Sequence, residues 1–162
     1  MNVYYVADVR HVLGKSPLAP AGVDVRTSTE ADVPTLADLN RRAYDPASVT
    51  HSAAVAEMQS AFDGDWGVLW PEASPAAWIG DHVVGVVQTV RRPSWDGTDD
   101  CPWIIEVFTD PKHRRSGFAR ALIRVACRVI EASNEQRVGL TVDDDNTPAI
   151  ALYRSLGFVR TP

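Results

Sequence analysis

"DPKHRRSGFARALI", residues 110–123, decides the fold. Lys112, His113, Arg114 and Arg115 stand in a row, Ser116 and Gly117 follow, and then comes a run with helical spacing. In front of it, "WIIEVFT" (103–109) is rich in β-branched and aromatic residues and predicts a strand. Behind it, Ala119, Leu122, Ile123, Ala126, Val129 and Ile130 recur at helical intervals, predicting a helix over 116–132. Arg120, Arg124 and Arg128 share another face of that helix. The stretch is therefore a strand–loop–helix junction. The first turn of a helix leaves amide N–H groups unpaired, and the helix dipole adds partial positive charge there. Gly117 has no Cβ to hold a ligand away from the backbone, and Ala119 keeps the next turn small. With the charges of Lys112, Arg114 and Arg115, the junction has the makings of a pyrophosphate cradle. The same features also suit a junction with surface arginines and no ligand, because short motifs recur by chance. Neither GxxxxGK[ST] nor GxGxxG occurs, so the mononucleotide P-loop and the dinucleotide fingerprint are excluded.

Charge points the same way. The chain has 162 residues and a net charge of −5, which argues against general nucleic-acid binding. Residues 110–130 carry a net charge of +5, with Lys112, Arg114, Arg115, Arg120, Arg124 and Arg128 against Asp110, so the remainder carries −10. A basic patch on an acidic body suits a small anionic ligand. Hydrophobic residues make up 45% of the chain, enough for the core of one globular domain. No apolar run approaches the roughly 18 residues of a membrane span. "MNVYYVADVR" lacks the basic start and apolar stretch of a signal peptide, so a cytoplasmic protein is expected. Cys101 and Cys127 are far apart in sequence and read as free thiols. The four histidines are scattered without metal-ligand spacing, and no metal is expected.

Around the junction, the chain mixes strands with helices. "VDVRT" (23–27) predicts a short strand, and "STEADVPTLADLNRRAY" (28–44) a helix capped by Ser28 or Thr29, with Pro34 early enough to be tolerated. A second helix is expected over 47–62. "AAWIG" and "VVGVVQTV" form a hairpin turning at 80–82, followed by a polar loop, 91–102. Downstream, 138–142 predicts a strand, 147–156 a helix stopped by Gly157, and "FVR" the start of a last strand. At the other end, "NVYYVADVRHVL" (2–13) reads as a strand and "GKSPLAPAG" (14–22) as a linker. The organisation is an N-terminal extension, 1–22, and a main domain, 23–162. The fold class is a single α/β (α+β) domain with a mixed central sheet of about six to seven strands flanked by helices.

"VFTDPKHRRSGFARALI" resembles the acyl-CoA-binding motif of the GNAT acetyltransferase superfamily, a strand, then R/Q-x-x-G-x-G/A, then a helix. Here the motif is Arg114-x-x-Gly117-x-Ala119. "LTVDDDNTPAIALYRSLGF" (140–158) resembles the family's later motif, a strand, an Asn and a helix ending in LYxxLGF. The resemblance extends from about residue 23 to 158. It implies acetyl-CoA as co-substrate. The main chain of Val107, Phe108 and Thr109 would pair with the pantetheine arm. The loop amides of Arg115, Ser116, Gly117, Phe118 and Ala119, with the side chains of Arg114 and Arg120 nearby, would hold the pyrophosphate. Asn146 matches the Asn that touches the arm or orders the loop. Tyr153 matches the Tyr that acts as general acid toward the departing thiolate.

Amine acylation needs a neutral amine, so a group must accept its proton. It also needs a donor for the developing oxyanion, most simply a main-chain N–H in the Val107 region. Glu106, alone among the apolar residues of "WIIEVF", is the candidate base, since burial would raise its pKa. It could also face solvent or pair with an arginine of a neighbouring strand. Tyr153 could equally be a core residue with a satisfied hydroxyl. Residues 143–145, "DDD", read as a solvated turn, with Asp145 or Asn146 capping the next helix. The acceptor, a small-molecule or peptide amine, should meet Tyr44, Asp45, His51, Trp66, Trp70, Trp78, Trp95, Asp99 and Asp100, which also suit core or surface positions. The resembled family has one more strand after the one beginning at Phe158. Segment 2–13 is the candidate to fill that place, from its own chain or from a partner subunit in a homodimer. A non-catalytic acyl-CoA-binding module is the alternative function.

Overall fold

The computed structural model describes residues 1–14 and 22–162, so most of the expected linker at 14–22 lies outside the described residues. Seven strands form one sheet: β1 (Asn2–Asp8), β2 (Asp24–Thr27), β3 (Pro75–Ile79), β4 (His82–Val90), β5 (Trp103–Thr109), β6 (Arg137–Asp143) and β7 (Val159–Arg160). Their order across the sheet is β2-β3-β4-β5-β6-β1-β7. Every neighbouring pair is antiparallel except β5 and β6. The parallel pair is joined by helix α4 (Phe118–Ala132), which carries the chain back along the sheet, as a parallel connection requires.

Two helices cover one face. In α2 (Val33–Ala43), Val33, Leu36, Ala37 and Asn40 recur at helical spacing and are buried. In α3 (His51–Asp63), Ala54, Met58 and Ala61 do the same. They pack on Ala76, Trp78, Val83, Val86 and Phe108 of the sheet. The other face is covered by α1 (Val9–Leu13), α4 and α5 (Thr147–Ser155). Phe118, Leu122, Ile123, Ala126 and Ile130 of α4 form its centre, each large apolar side chain worth about 1.5–3 kcal/mol on burial. No helix among the described residues is long and apolar enough to cross a membrane.

Two expectations are corrected. The N-terminal run is not one strand over 2–13: it breaks after Asp8, whose side chain accepts from the Arg10 N–H at 2.8 Å and starts α1. Beyond it, Val9, Val12 and Leu13 have helical, not alternating, spacing. The second helix starts at His51 instead of 47, because Thr50 accepts from the Ala53 N–H at 3.1 Å while Asp45 holds 45–49 in a turn through the Ala47 N–H.

Strand β1 itself takes the place the sequence left open. It lies between β6 and β7, antiparallel to both, with Asn2 opposite Asp143 and Tyr5 opposite Arg160. Val3, Tyr5 and Ala7 point into the core while Asn2, Tyr4 and Val6 alternate onto the opposite face. The place is filled from the same chain, without a partner subunit.

Candidate active site

Strands β5 and β6 pair only where they begin, Trp103 with Gly139 and Ile104 with Leu140. Trp103 is fully buried, and its Nε1–H donates to Thr141 Oγ1 at 3.0 Å. A β-bulge on the other side of β5 sets Gln88 against Glu106 and Thr89 against Ile104, leaving Ile105 as the extra residue. A bulge bends its strand and sharpens the local twist. Beyond it, β5 keeps β4 as neighbour but has no paired residue on the β6 side, so the main chain at Val107, Phe108 and Thr109 borders a cleft in the sheet. The Phe108 side chain is buried under α2, and Val107 is packed toward the α4 face.

The cleft leads to the strand–loop–helix junction. Asp110 is nearly buried and accepts from the Lys112 N–H at 2.9 Å, with the Arg42 guanidinium 3.4 Å away. Burial alone would raise its pKa, but the Lys112 N–H and Arg42 prevail and hold the carboxyl below its ordinary value. The chain then turns through two left-handed residues, Arg115 (φ 63°) and Gly117 (φ 79°). Gly117 is the N-cap of α4, and among the described residues no side chain accepts from the helix's first amides. A Cβ on Gly117 would meet nothing within 4 Å, so its left-handed conformation, not crowding, calls for glycine. Arg114, Arg115, Ser116 and Gly117 are exposed, while Phe118 is buried and anchors the helix start. The amides of Phe118, Ala119 and Arg120 thus form an open, uncapped helix end, suited to an anion. The arginine side chains are engaged elsewhere: Arg114 donates to the Ala43 carbonyl at the end of α2, and Arg120 to Ser155 Oγ at 2.6 Å. Asn146 caps α5, its Oδ1 accepting from the Ala149 N–H at 3.3 Å.

Glu106 is half-buried and, among the described residues, pairs with no arginine. It faces the Glu57 carboxyl of α3. Burial first, then the charge of Glu57 and a hydrogen bond with it, push its pKa well above the carboxylate range. Tyr153, 6% exposed and stacked edge-on to Phe158 at 6.0 Å, lies close enough to feel the Glu106 charge. Burial and that charge hold its phenol protonated. Tyr44 is 51% exposed as a residue, yet its hydroxyl end is desolvated, and burial with Glu106 pushes its pKa up too. Burial also pushes the free Cys101 and Cys127 thiols up, to about 11 and about 12, so neither is a thiolate nucleophile near neutral pH.

A cavity of about 290 Å3 opens beside Glu106 on the α3 side, lined by Tyr4, Glu57, Trp66, Trp95 and Thr141 among others. Of the residues expected to meet an acceptor, Trp66 and Trp95 are here. Trp70 and Trp78 are core residues with Arg91 and Arg26 stacked on their rings at 4.1 and 3.9 Å. Asp99 and Asp100 pair with Arg137 and Arg92 at 2.5 and 2.6 Å, pinning the β4–β5 loop. His51 lies 3.4 Å from Asp38, Asp45 holds its turn, and Tyr44 rests against Phe108, with ring centroids 6.4 Å apart. Sequence reasoning missed Glu57, Tyr4 and Gln88. The signal for Glu57 was present: it interrupts the apolar stripe of Ala54, Met58 and Ala61.

The comparisons with known proteins agree with this fold. A profile of the acetyltransferase (GNAT) family matches residues 34–158, and the chain belongs to that family. Among curated proteins, it is 29% identical over 147 residues to mycothiol acetyltransferase of Catenulispora acidiphila, covering 90% of this chain and 46% of that protein. It is 30% identical over 148 residues to mycothiol acetyltransferase of Saccharomonospora viridis, covering 88% and 47%. The chain thus spans about half the length of the curated relatives it matches. Among solved structures, the aminoglycoside N-acetyltransferase AAC(6')-Iy in complex with CoA superposes with a TM-score of 0.67 at 21% identity, covering 90% of this chain and 94% of that one. A GCN5-related N-acetyltransferase from Sphaerobacter thermophilus gives 0.68 at 22% identity, covering 99% and 48%.

Proposed function

We propose that this protein transfers an acetyl group from acetyl-CoA to a primary amine of a small molecule by direct attack. The observation that carries the reading is a juxtaposition. The uncapped, exposed start of α4 lies beyond the end of β5, whose main chain borders the sheet cleft, and that strand also carries Glu106. The GNAT family match and the relatives named as acetyltransferases support it, as does the CoA complex of a structural neighbour. In this reading the protein works in the cytoplasm; no helix among the described residues is long and apolar enough to cross a membrane.

The residues present suit CoA. The amides from Arg115 to Ala119 would bind its pyrophosphate through main-chain N–H groups, with Arg114 and Arg120 adding field from their anchored positions. The main chain of Val107, Phe108 and Thr109 would pair with the pantetheine arm, and Asn146 orders the loop beside it by capping α5. When bound, acetyl-CoA supplies the thioester carbonyl that the amine attacks. Glu106 takes the proton from the amine, and its raised pKa matches it to that task near neutral pH. A main-chain N–H in the Val107 region donates to the developing oxyanion. Tyr153 keeps its proton until a departing thiolate needs it. The cleft and the cavity fix the angle of approach between the two substrates, which by itself lowers the barrier.

A thiol-release screen tests this directly. Acetyl-CoA and a panel of amines should yield free CoA only when an accepted amine is present. Tight CoA binding without thiol release from any amine would instead support a non-catalytic acyl-CoA-binding module.

A further inference from the structure

We propose that the acceptor is a small amine with a single ammonium group on a flat or apolar body, its nitrogen held by Glu57 and Glu106 and its body set against Tyr4, Trp66 and Trp95. This deepens the acetyltransferase reading and rests on it for the role of the nitrogen.

The cavity's chemistry is asymmetric. Its two carboxyls, Glu57 and Glu106, come from different elements and meet at one spot. Among the described residues, no lysine or arginine lines it. An ammonium is therefore welcome at that spot, whereas the carboxylate of an amino acid would face two carboxyl groups with no cation to offset them. A second ammonium would find no acidic side chain beyond Glu57 and Glu106 among the described lining residues. Asp99 and Asp100, on the neighbouring loop, are already held by Arg137 and Arg92. The volume, about 290 Å3, lies just below the roughly 300–1,000 Å3 range of ligand sites and suits a small acceptor.

Three aromatic residues of the remaining wall, Tyr4, Trp66 and Trp95, are held in place before any ligand arrives. Trp103 is its hub, edge-to-face with Tyr4 at 5.6 Å and with Trp95 at 6.3 Å. Trp95 is edge-to-face with Trp66 at 6.1 Å. Trp66 Nε1–H donates to Ser60 Oγ at 2.8 Å, and the Ser94 N–H donates to the Trp66 carbonyl at 3.1 Å. Rings fixed this way lose little entropy on binding, so their apolar and cation–π contacts favour a flat cationic ligand. Tyr4 reaches this wall only because β1 is seated between β6 and β7, which makes the N-terminal strand part of the specificity of the site.

Tryptophan fluorescence and calorimetry of the whole chain, saturated with CoA, give the test. The probes are phenethylamine, spermidine, phenylalanine and phenethyl alcohol. Phenethylamine should bind saturably and quench fluorescence, and the other three should bind about tenfold more weakly or worse, as loss of one charge-assisted contact implies. Glu57→Gln should weaken phenethylamine by a similar factor and leave CoA affinity unchanged. Trp66→Leu, at a partly exposed position, should weaken phenethylamine while the melting temperature holds. Equal or tighter binding of spermidine or phenylalanine would overturn the proposal, as would an unaffected Glu57→Gln variant or no saturation by phenethylamine at millimolar concentrations. Failure of CoA to bind in its own titration would instead sink the acetyltransferase reading, since the amine titration can also be run without it.

Discussion

The indole of Trp103 fills the space in which a side chain on Gly139 would stand: a Cβ there would lie 2.1 Å from two of its ring carbons. These two residues are also partners in register at the only place where β5 and β6 pair. The base of the cleft and the hub of the aromatic wall are thus one contact.

Gly139→Ala should force the indole out of place. Overpacking of this kind costs about 1–3 kcal/mol. Thermal unfolding should show a melting temperature several degrees lower, and Trp fluorescence should change even at low temperature. An unchanged melting temperature would mean that the Trp103 ring has room to move.

Glu106 links activity and stability to pH with opposite signs. Its folded pKa lies above its ordinary 4.5, so the fold favours its neutral form. That contribution to stability is fully present below the unfolded pKa and is lost as pH rises through the raised folded value. A base must be ionised to work, so kcat/KM should rise with pH over the range in which this stability declines. Glu106→Gln should remove the rising limb and slow turnover by roughly 10²- to 10⁴-fold. Its stability relative to the parent should improve as pH rises. A Gln variant with the parent's pH–rate profile would remove Glu106 from the chemistry.

Gln88 lies across from Glu106 in the β4–β5 register, is 1% exposed, and has neither amide atom hydrogen-bonded. A buried amide without partners costs about 1–3 kcal/mol. Gln88→Met, close in volume, should therefore raise stability by about that amount in denaturant titration. Loss of stability in this variant would show that the amide is satisfied, for instance by an enclosed water.

Tyr153→Phe keeps the packing against Phe158 and removes the proton donor. Turnover should fall while CoA affinity stays nearly constant. A large loss of affinity with normal turnover would make Tyr153 a binding residue instead.

How much of this was legible follows physical lines. Local signals were reliable: the β5 run, the α4 stripe and the hairpin turn are each encoded within a few residues. Helix starts went astray where a polar residue outside the apolar stripe set the boundary, as Asp8 and Thr50 do. Asn146 was recognisable as a cap because the sequence places it directly before Thr147 and Pro148. The acceptor cavity was not legible, because it is assembled from five separate segments. Tyr4 enters it only through the pairing of β1 with β6, across more than a hundred residues of chain. Trp70 and Trp66 look alike in sequence, and only the folded sheet sends one to the core and the other to the cavity.

The central claim is that main-chain amides at the start of α4 bind the diphosphate of CoA. At 17.7 kDa the protein suits amide NMR, and a CoA titration reads those groups one by one. The account predicts the largest shifts at the amides of residues 115–120, with a second set at 107–109. Both sets should vanish in Gly117→Glu, where a side chain is forced into a left-handed conformation and adds negative charge. Shifts concentrated elsewhere, or CoA binding that survives Gly117→Glu undiminished, would contradict it.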